Sequence, residues 1–337
     1  MRICLIGEYN NILDEGMKNV AFHLSRELSK HHEVLSLHVK NLYSFNFWRT
    51  LKRFDPEIIH YVPGITILSL FVMKILSLYS RDVKTVISAM LPEFSPISTR
   101  FISLLKPNLI LTQSQETENK LRSLGCRVEF LPCGVDTEKF TPVNPEIKAK
   151  LRRKYNIDDD EFVILHVGSI KPGRGVQILT KLQSEDTQVL VISAVSVGIS
   201  REMVQLLRKA GCLVWTEYFE NINEIYGLAD CYIFPVAPVK NTLGRATADS
   251  IEMPLTVLEA MACNLPVIAT KFGALPRAFK EGDGLFFVEN ENDIFQALEE
   301  IRNGIKIKTR EKVLPYSWKN VVRRLDEIYA RLLGGGT

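Results

Sequence analysis

"MPLTVLEAMACNLPVIAT", residues 253–270, holds a helix, a stop signal and a strand in one short run. Proline is excluded from a helix interior but suits the first turn, so the helix starts at Pro254 and runs to Ala262. Asn264 suits a left-handed cap, and Pro266 blocks continuation into the β-branched strand "PVIAT", Pro266 to Thr270. Glu252 and Glu259 stand two helical turns apart, yet Pro254 divides them. Glu259 is therefore helical and Glu252 lies on the entering loop. Upstream, "CYIFPV" (Cys231 to Val236) reads as a strand, and the long loop "APVKNTLGRATADSIEM" joins it to the helix. Strand, helix and strand in this order make a βαβ unit and predict a parallel sheet.

The alternation extends in both directions. In the first half the strand candidates are Arg2 to Gly7, Glu33 to Val39, Glu57 to Val62, Lys84 to Ala89, Leu109 to Ser114 and Val128 to Gly134. In the second half they are Val163 to Gly168, Gln188 to Ala194, Cys212 to Tyr218, Cys231 to Val236, Pro266 to Thr270 and Gly284 to Val288. Between the halves, Thr141 to Phe162 carries two prolines and dense charge and reads as a linker. The last segment, "SWKNVVRRLDEIYARLL", has an apolar stripe of Val321, Leu325, Ile328 and Leu332 and no following strand, so it is expected to pack back onto the first domain. The fold class is α/β, with two doubly wound Rossmann-like domains, 1–145 and 146–316, and residues 317–337 rejoining the first. Open parallel sheets bind ligands outside the carboxyl ends of their strands, which puts the expected site in a cleft facing both domains.

Composition narrows the function. The chain has 337 residues, 46% hydrophobic and 24% charged, as in a folded two-domain protein. With 42 Lys and Arg against 39 Asp and Glu, a general nucleic-acid binder is not expected, and any anion should be held at a local site. The six cysteines lack metal-ligand spacing and read as buried thiols of a reducing compartment. "MRICLIGEY" reads as a first strand rather than a signal peptide, which places the chain in the cytoplasm. The apolar run from Ile65 to Ser80 is broken by Lys74 and falls short of the ~20 residues a spanning helix needs, so it reads as a buried or interfacial helix.

Phosphate chemistry is written in two places. A helix N-terminus at Pro254, Leu255 and Thr256 presents free amides and partial positive charge, and Glu259 about a turn later can accept from sugar hydroxyls. In "ILHVGSIKPGRGVQIL", Ile164 to Leu179, a strand ends at Gly168 and a loop with Lys171, Gly173, Arg174 and Gly175 follows. Glycines there allow close backbone approach, and the cations neutralise a diphosphate. A dinucleotide oxidoreductase is disfavoured because "IGEYNNILDEG" lacks the GxGxxG turn.

Together these stretches resemble the retaining GT-B glycosyltransferases of family four, the glycosyl transferases group 1. "VGSIKPGRGV" is similar to that family's phosphate loop, "YGLADCYIFPV" to its strand entry, and "MPLTVLEAMACNLPVIATKFGALP" to its nucleotide-ribose helix and following turn. "LPCGVDTEKF" and "YSWKNVVRRLDEIY" resemble the end of its N-terminal domain and its closing helix. The resemblance implies transfer of a sugar from a nucleotide-diphosphate sugar to a glycan or lipid-linked acceptor, with retention and with no cofactor or metal. It puts Gly168, Ser169, Lys171 and Arg174 in the phosphate loop, with Arg174 in the place of the phosphate-binding Lys. The amides around Pro254, Leu255 and Thr256 would receive donor phosphates, Glu259 would hold the ribose, and Gly16 would lie in the N-terminal turn that closes over the donor. Arg174 and Glu252 are the expected catalytic residues.

Several positions depart from the pattern. Ile251 stands where the family has its first Glu, with Glu252 one residue late, and Ser169 replaces an Arg. Lys171, Lys240 or Arg245 are the candidates to substitute for that cation. Ala89 or Met90 stands in place of a His, Ala194 and Val195 in place of glycines, and Arg277 in place of a Glu. Ser169, Ile251 and the absent His motivate another reading, a catalytically weak nucleotide-sugar-binding subunit partnering an active transferase, and a second rival is an epimerase or phosphorylase of the same architecture. His60 and His166 read as structural, and His31 and His32 as helix-end caps. Lys40 to Phe54 interleaves Tyr43, Phe45, Phe47 and Trp48 with Lys40, Arg49, Lys52 and Arg53. It is either an ordinary amphipathic helix or a contact with anionic lipid, which would add peripheral membrane association at the inner face of the cell membrane and favour a lipid-linked acceptor.

Overall fold

A computed structural model describes residues 1–9, 15–79, 82–92, 94, 96–194, 198–236 and 251–334. Lys240, Arg245 and Val195 lie outside the described residues. The chain forms two compact units. One comprises Met1–Gly134, Lys240–Met253 (of which 251–253 are described) and Trp318–Thr337, and the other Val135–Val239 and Pro254–Ser317.

The first unit runs β1 (Arg2–Gly7), α1 (Gly16–Leu28), β2 (Glu33–His38), α2 (Phe45–Phe54), β3 (Ile58–Tyr61), α3 (Ile67–Tyr79), β4 (Lys84–Ala89), α4 (Pro96–Leu104), β5 (Leu109–Thr112), α5 (Gln115–Ser123) and β6 (Val128–Phe130). Its strands pair in parallel in the order β2-β1-β3-β4-β5-β6. A parallel sheet is covered on both faces, so its strands are near-continuous apolar runs, as in Ile3 to Ile6 and Val86 to Ile87. On one face Cys4, Ile6, Ile59 and Ile87 pack under Phe47 and Leu51 of α2, Leu70, Met73 and Leu76 of α3, and Ile102 of α4.

The second unit runs α6 (Pro145–Lys154), β7 (Phe162–Val167), α7 (Leu179–Leu182), β8 (Thr187–Ile192), α8 (Arg201–Lys209), β9 (Leu213–Trp215), α9 (Ile222–Leu228), β10 (Cys231–Phe234), α10 (Leu255–Ala262), β11 (Val267–Thr270), α11 (Leu275–Ala278), β12 (Leu285–Val288), α12 (Glu291–Arg302) and α13 (Thr309–Val313). Its strand order is β12-β11-β10-β7-β8-β9. The chain winds outward from β7 through β8 and β9, then restarts at β10 on the other side. The β7–β10 boundary is therefore the topological switch point, where a crevice opens beyond the strands' carboxyl ends.

The stretch read as a linker contains α6. Asn144 caps it by accepting from the Ile147 amide, and Pro145 fits its first turn. Arg152 and Lys148 both reach Asp230 at 2.5 Å, and Arg152 Nε donates to the Leu228 carbonyl, which ties α6 to α9. A buried arginine with its charge matched is costly to pull out, so α6 belongs to the second unit.

The last helix, α14 (Trp318–Leu333), belongs to the first unit and packs against α1. It buries Val321, Leu325, Ile328 and Leu332, the stripe read from sequence, together with Trp318, Val322 and Tyr329. Tyr329 Oη is 2.7 Å from His60 Nδ1, and Ser88 Oγ is 2.7 Å from His60 Nε2, so His60 is a satisfied core histidine. Burial drives its pKa down to about 3, which keeps the ring neutral. His32 reaches Asp326 of α14 at 3.0 Å.

Candidate functional site

Helix α10 starts as its proline and asparagine suggest. Pro254 is the N-cap, and Asn264 beyond the last turn has φ of 57°. Its carbonyl end is held by Arg310 of α13, which bonds the Ala262 carbonyl and, at 2.8 Å, that of Phe140. No side chain caps the N-terminus, so the first-turn amides are left to be satisfied by an anion or solvent.

The loop after β7, Gly168 to Gly175, lies beside the end of β10. Gly175 has φ of +69°, and a Cβ there would fall 2.1 Å from the Pro235 carbonyl oxygen, so only glycine fits. Ser169 and Ile170 are buried, while Lys171, Gly173 and Arg174 are partly exposed. The Lys171 stem runs along Gly198 beyond β8.

Tyr232 brings loop and helix together and Tyr226 braces the helix from α9, and the sequence reading assigned a role to neither. The Tyr232 hydroxyl, on β10, is 3.2 Å from the carbonyl oxygen of Val167, the residue before the loop, and 2.7 Å from Thr256 Oγ1 in the first turn of α10. Burial pushes the pKa of that hydroxyl well up, against the Thr256 hydrogen bond, and the charges of Glu259 and Arg174 add smaller contributions, the first raising it and the second lowering it. Tyr226, on α9, donates to Glu259 Oε2 at 2.8 Å. A buried tyrosine hydroxyl needs a partner, and two tyrosines in an apolar helix-and-strand entry were the available signal.

Electrostatics mark the same place. Burial pushes the Glu259 carboxyl up to about 7, against the Tyr226 hydrogen bond and the Lys139 charge, which pull it down. His166 is buried with Nδ1 on the Ile233 carbonyl at 3.0 Å, and burial, helped by the nearby Arg174 charge, lowers it to about 4. Its Nε2, which would meet a Cβ at Gly168 at 3.1 Å, has no hydrogen-bond partner among the described residues, nor does buried Ser193 Oγ just past β8. Buried polar atoms without partners cost about 1–3 kcal/mol each, and such atoms collect at functional positions.

Gly168, Ser169, Lys171, Arg174, Pro254, Leu255, Thr256 and Glu259 all lie in the second unit, whereas Gly16 and Glu252 lie in the first. The Glu252 carboxylate accepts from Ser114 Oγ at 2.7 Å, Ser114 N at 3.2 Å and Thr117 Oγ1 at 2.5 Å, at the start of α5. Its own amide donates to the Met90 carbonyl at 2.8 Å. Ile251 packs on Gly16, where a Cβ would lie 2.9 Å from Ile251 Cδ1. Met253 continues the docking, its amide on Gln113 Oε1 at 3.1 Å and its sulfur 3.2 Å from the Cys133 amide. All six cysteines are buried free thiols, and no group of three or more metal-ligating side chains is found among the described residues.

Residues 161–303 match the family model described as glycosyl transferases group 1. The D-inositol 3-phosphate glycosyltransferase of Corynebacterium jeikeium is 25% identical over 258 residues, 68% of this chain and 58% of the relative. A GDP-mannose-dependent monoacylated alpha-(1-6)-phosphatidylinositol monomannoside mannosyltransferase of Corynebacterium glutamicum is 30% identical over 165 residues, 47% of this chain and 42% of the relative. The chain thus spans about half the length of the curated relatives it matches. Among solved structures, sucrose-phosphate synthase from Thermosynechococcus elongatus has a TM-score of 0.79 at 16% identity, covering 100% of both chains. Anabaena HepE in complex with UDP has 0.75 at 15%, covering 98% of this chain and 100% of HepE. At such identities the likeness establishes the shared fold.

Proposed function

Because residues 161–303 match the glycosyl transferases group 1 family model, we propose that the chain transfers a sugar, with retention, from a nucleotide-diphosphate sugar to a glycan or lipid-linked acceptor. The observation that carries the proposal is the Tyr232 hydroxyl, which joins the residue before the basic loop to the first turn of α10, the helix that carries Glu259. In this reading the diphosphate lies between the basic loop and the α10 amides. As the glycosidic bond breaks, negative charge grows on the leaving diphosphate, and the Arg174 guanidinium and Lys171 ammonium, fixed beforehand, stabilise it more than the ground state. Glu259, held by Tyr226, receives ribose hydroxyls. Glu252 is a positioning residue: through Ser114, Thr117 and Met90 it fixes the backbone that enters α10. The relatives named above use GDP-mannose or act on inositol compounds, which supports a nucleotide-sugar donor and leaves base and acceptor to experiment.

The test is a thermal-shift series with UDP, GDP and ADP. One nucleotide is expected to stabilise the chain, and Arg174→Ala is expected to abolish most of that shift. Stabilisation equal in the variant would remove the assignment. Tight binding with no donor turnover under any acceptor would point to a non-catalytic binding subunit instead.

A further inference from the structure

Helix α3 is apolar all round, and the structure explains only one side of it. Leu70, Met73 and Leu76 enter the core beneath it. The opposite side carries Leu68, Phe71, Ile75 and Leu78 at helical spacing, all exposed, with Leu78 at 73%. Helix α4 continues the surface with Ile97 at 64% and Leu104 at 70%, and Phe71 joins it to Phe101 at a ring distance of 5.4 Å. Tyr43 just ahead of α2 and Phe45 at its first position are both more than 80% exposed, although Phe47 and Leu51 of the same helix are buried. Exposed apolar side chains in the second unit, such as Ile147, Leu206 and Phe295, are scattered over separate helices. Single exposures of that kind are ordinary, but a two-helix apolar face is not.

The helices of this face carry charge of one sign, and the acids between Lys40 and Lys106, namely Asp55, Glu57, Asp82 and Glu93, stand in the sequence between those helices. Helices α2, α3 and α4 contain Arg49, Lys52, Arg53, Lys74 and Arg100 and no aspartate or glutamate. Lys40 precedes them, and Lys106 follows α4. Lys74 stands within the apolar stripe of α3, where its long stem can lie along the apolar surface while the ammonium reaches outward. Two copies of such a face would set cation against cation. A bilayer with anionic headgroups supplies both the apolar layer and the opposite charge. The 13 residues of α3 make a rod of about 20 Å, short of the ~30 Å hydrocarbon core, so the helix lies along a membrane rather than across it. No helix among the described residues is long and apolar enough to cross one.

We propose that the outer face of α3 and α4, with Tyr43 and Phe45, docks the chain on the surface of an anionic lipid bilayer. The docking stands apart from sugar transfer, because it is a binding equilibrium measured without donor or acceptor. Vesicles of phosphatidylcholine with about 30% phosphatidylglycerol, and vesicles of phosphatidylcholine alone, are sedimented with the full chain. The chain is expected to follow the anionic vesicles and to be released several-fold as salt rises from about 0.1 M to about 0.5 M. Leu78→Glu with Leu104→Glu is expected to weaken that binding about tenfold or more, since both side chains are solvent-facing and the fold does not depend on them. Lys52→Glu with Arg53→Glu should remove the preference for anionic vesicles, and Leu206→Glu in the second unit should change nothing. The proposal is overturned if the native chain ignores both vesicles, or if the leucine double variant, shown folded by its melting curve, still binds. It is equally overturned if the native chain forms a dimer that the leucine substitutions dissolve while vesicles capture neither protein.

Discussion

Replacing Glu259 by Gln should stabilise the ligand-free protein, and the gain should appear only as pH rises. The Glu259 carboxyl goes from 4.5 in the unfolded chain to about 7 in the folded one because burial penalises its charge. For an acid raised in this way, the folded state binds the proton more tightly, so its contribution to stability is lost as pH climbs from 4.5 through 7 and is level above that. At about 1.4 kcal/mol per tenfold in protonation, the native carboxylate costs about 3 kcal/mol at pH 8 and under about 1 kcal/mol at pH 5. Glutamine keeps the size and can still accept from Tyr226, so most of that cost disappears in the variant. For a unit of this size, about 3 kcal/mol corresponds to a rise of roughly 6–12 °C in melting temperature. Urea or thermal unfolding of both proteins at the two pH values reads the difference directly, with Trp215 of β9 as a fluorescent reporter inside the affected unit. The same variant should lose nucleotide binding if the carboxylate holds ribose hydroxyls. Equal destabilisation at pH 5 and pH 8 would refute the reasoning and make Glu259 an ordinary structural partner of Tyr226.

Three further outcomes are expected. Gly175→Ala should lower stability by more than about 2 kcal/mol, seen as a lower melting temperature, because its Cβ would collide with the Pro235 carbonyl at a positive φ. Glu252→Ala should cost about 2–4 kcal/mol by stripping three hydrogen bonds from Ser114 and Thr117, and hydrogen exchange should localise the loosening to α5; exchange unchanged there would sink this account. Tyr232→Phe should weaken nucleoside diphosphate affinity about tenfold with little change in melting temperature, since it cuts the link between Val167 and Thr256; isothermal titration decides.

Local chemistry was legible in the sequence, and distant partnership was not. The strands declared themselves because a parallel sheet buries both faces and so writes apolar runs without alternation. The ends of α10 were readable from Pro254 and Asn264, since a cap depends on its own few residues. Glu252 was beyond reach: its partners Ser114 and Thr117 are more than 130 positions away, and no periodicity reports such a contact. The polar stretch holding α6 looked like a linker because the helix buries an arginine instead of an apolar stripe, and the matching Asp230 lies 78 residues on. The apolar run at Ile65 to Ser80 showed its length, but which half of it would be left uncovered became visible only with α2, α4 and the sheet in place.

The placement of α14 has a consequence for biosynthesis. Synthesis runs from the N-terminal side, and the last strand of the first unit's sheet ends at residue 130, yet one of the two side chains that satisfy His60 belongs to residue 329. The opening half must therefore wait, with His60 and the surface of α1 that receives α14 uncovered, while the whole second unit is synthesised. A chain truncated just before Trp318 would carry every strand of both sheets and still leave its oldest half unfinished.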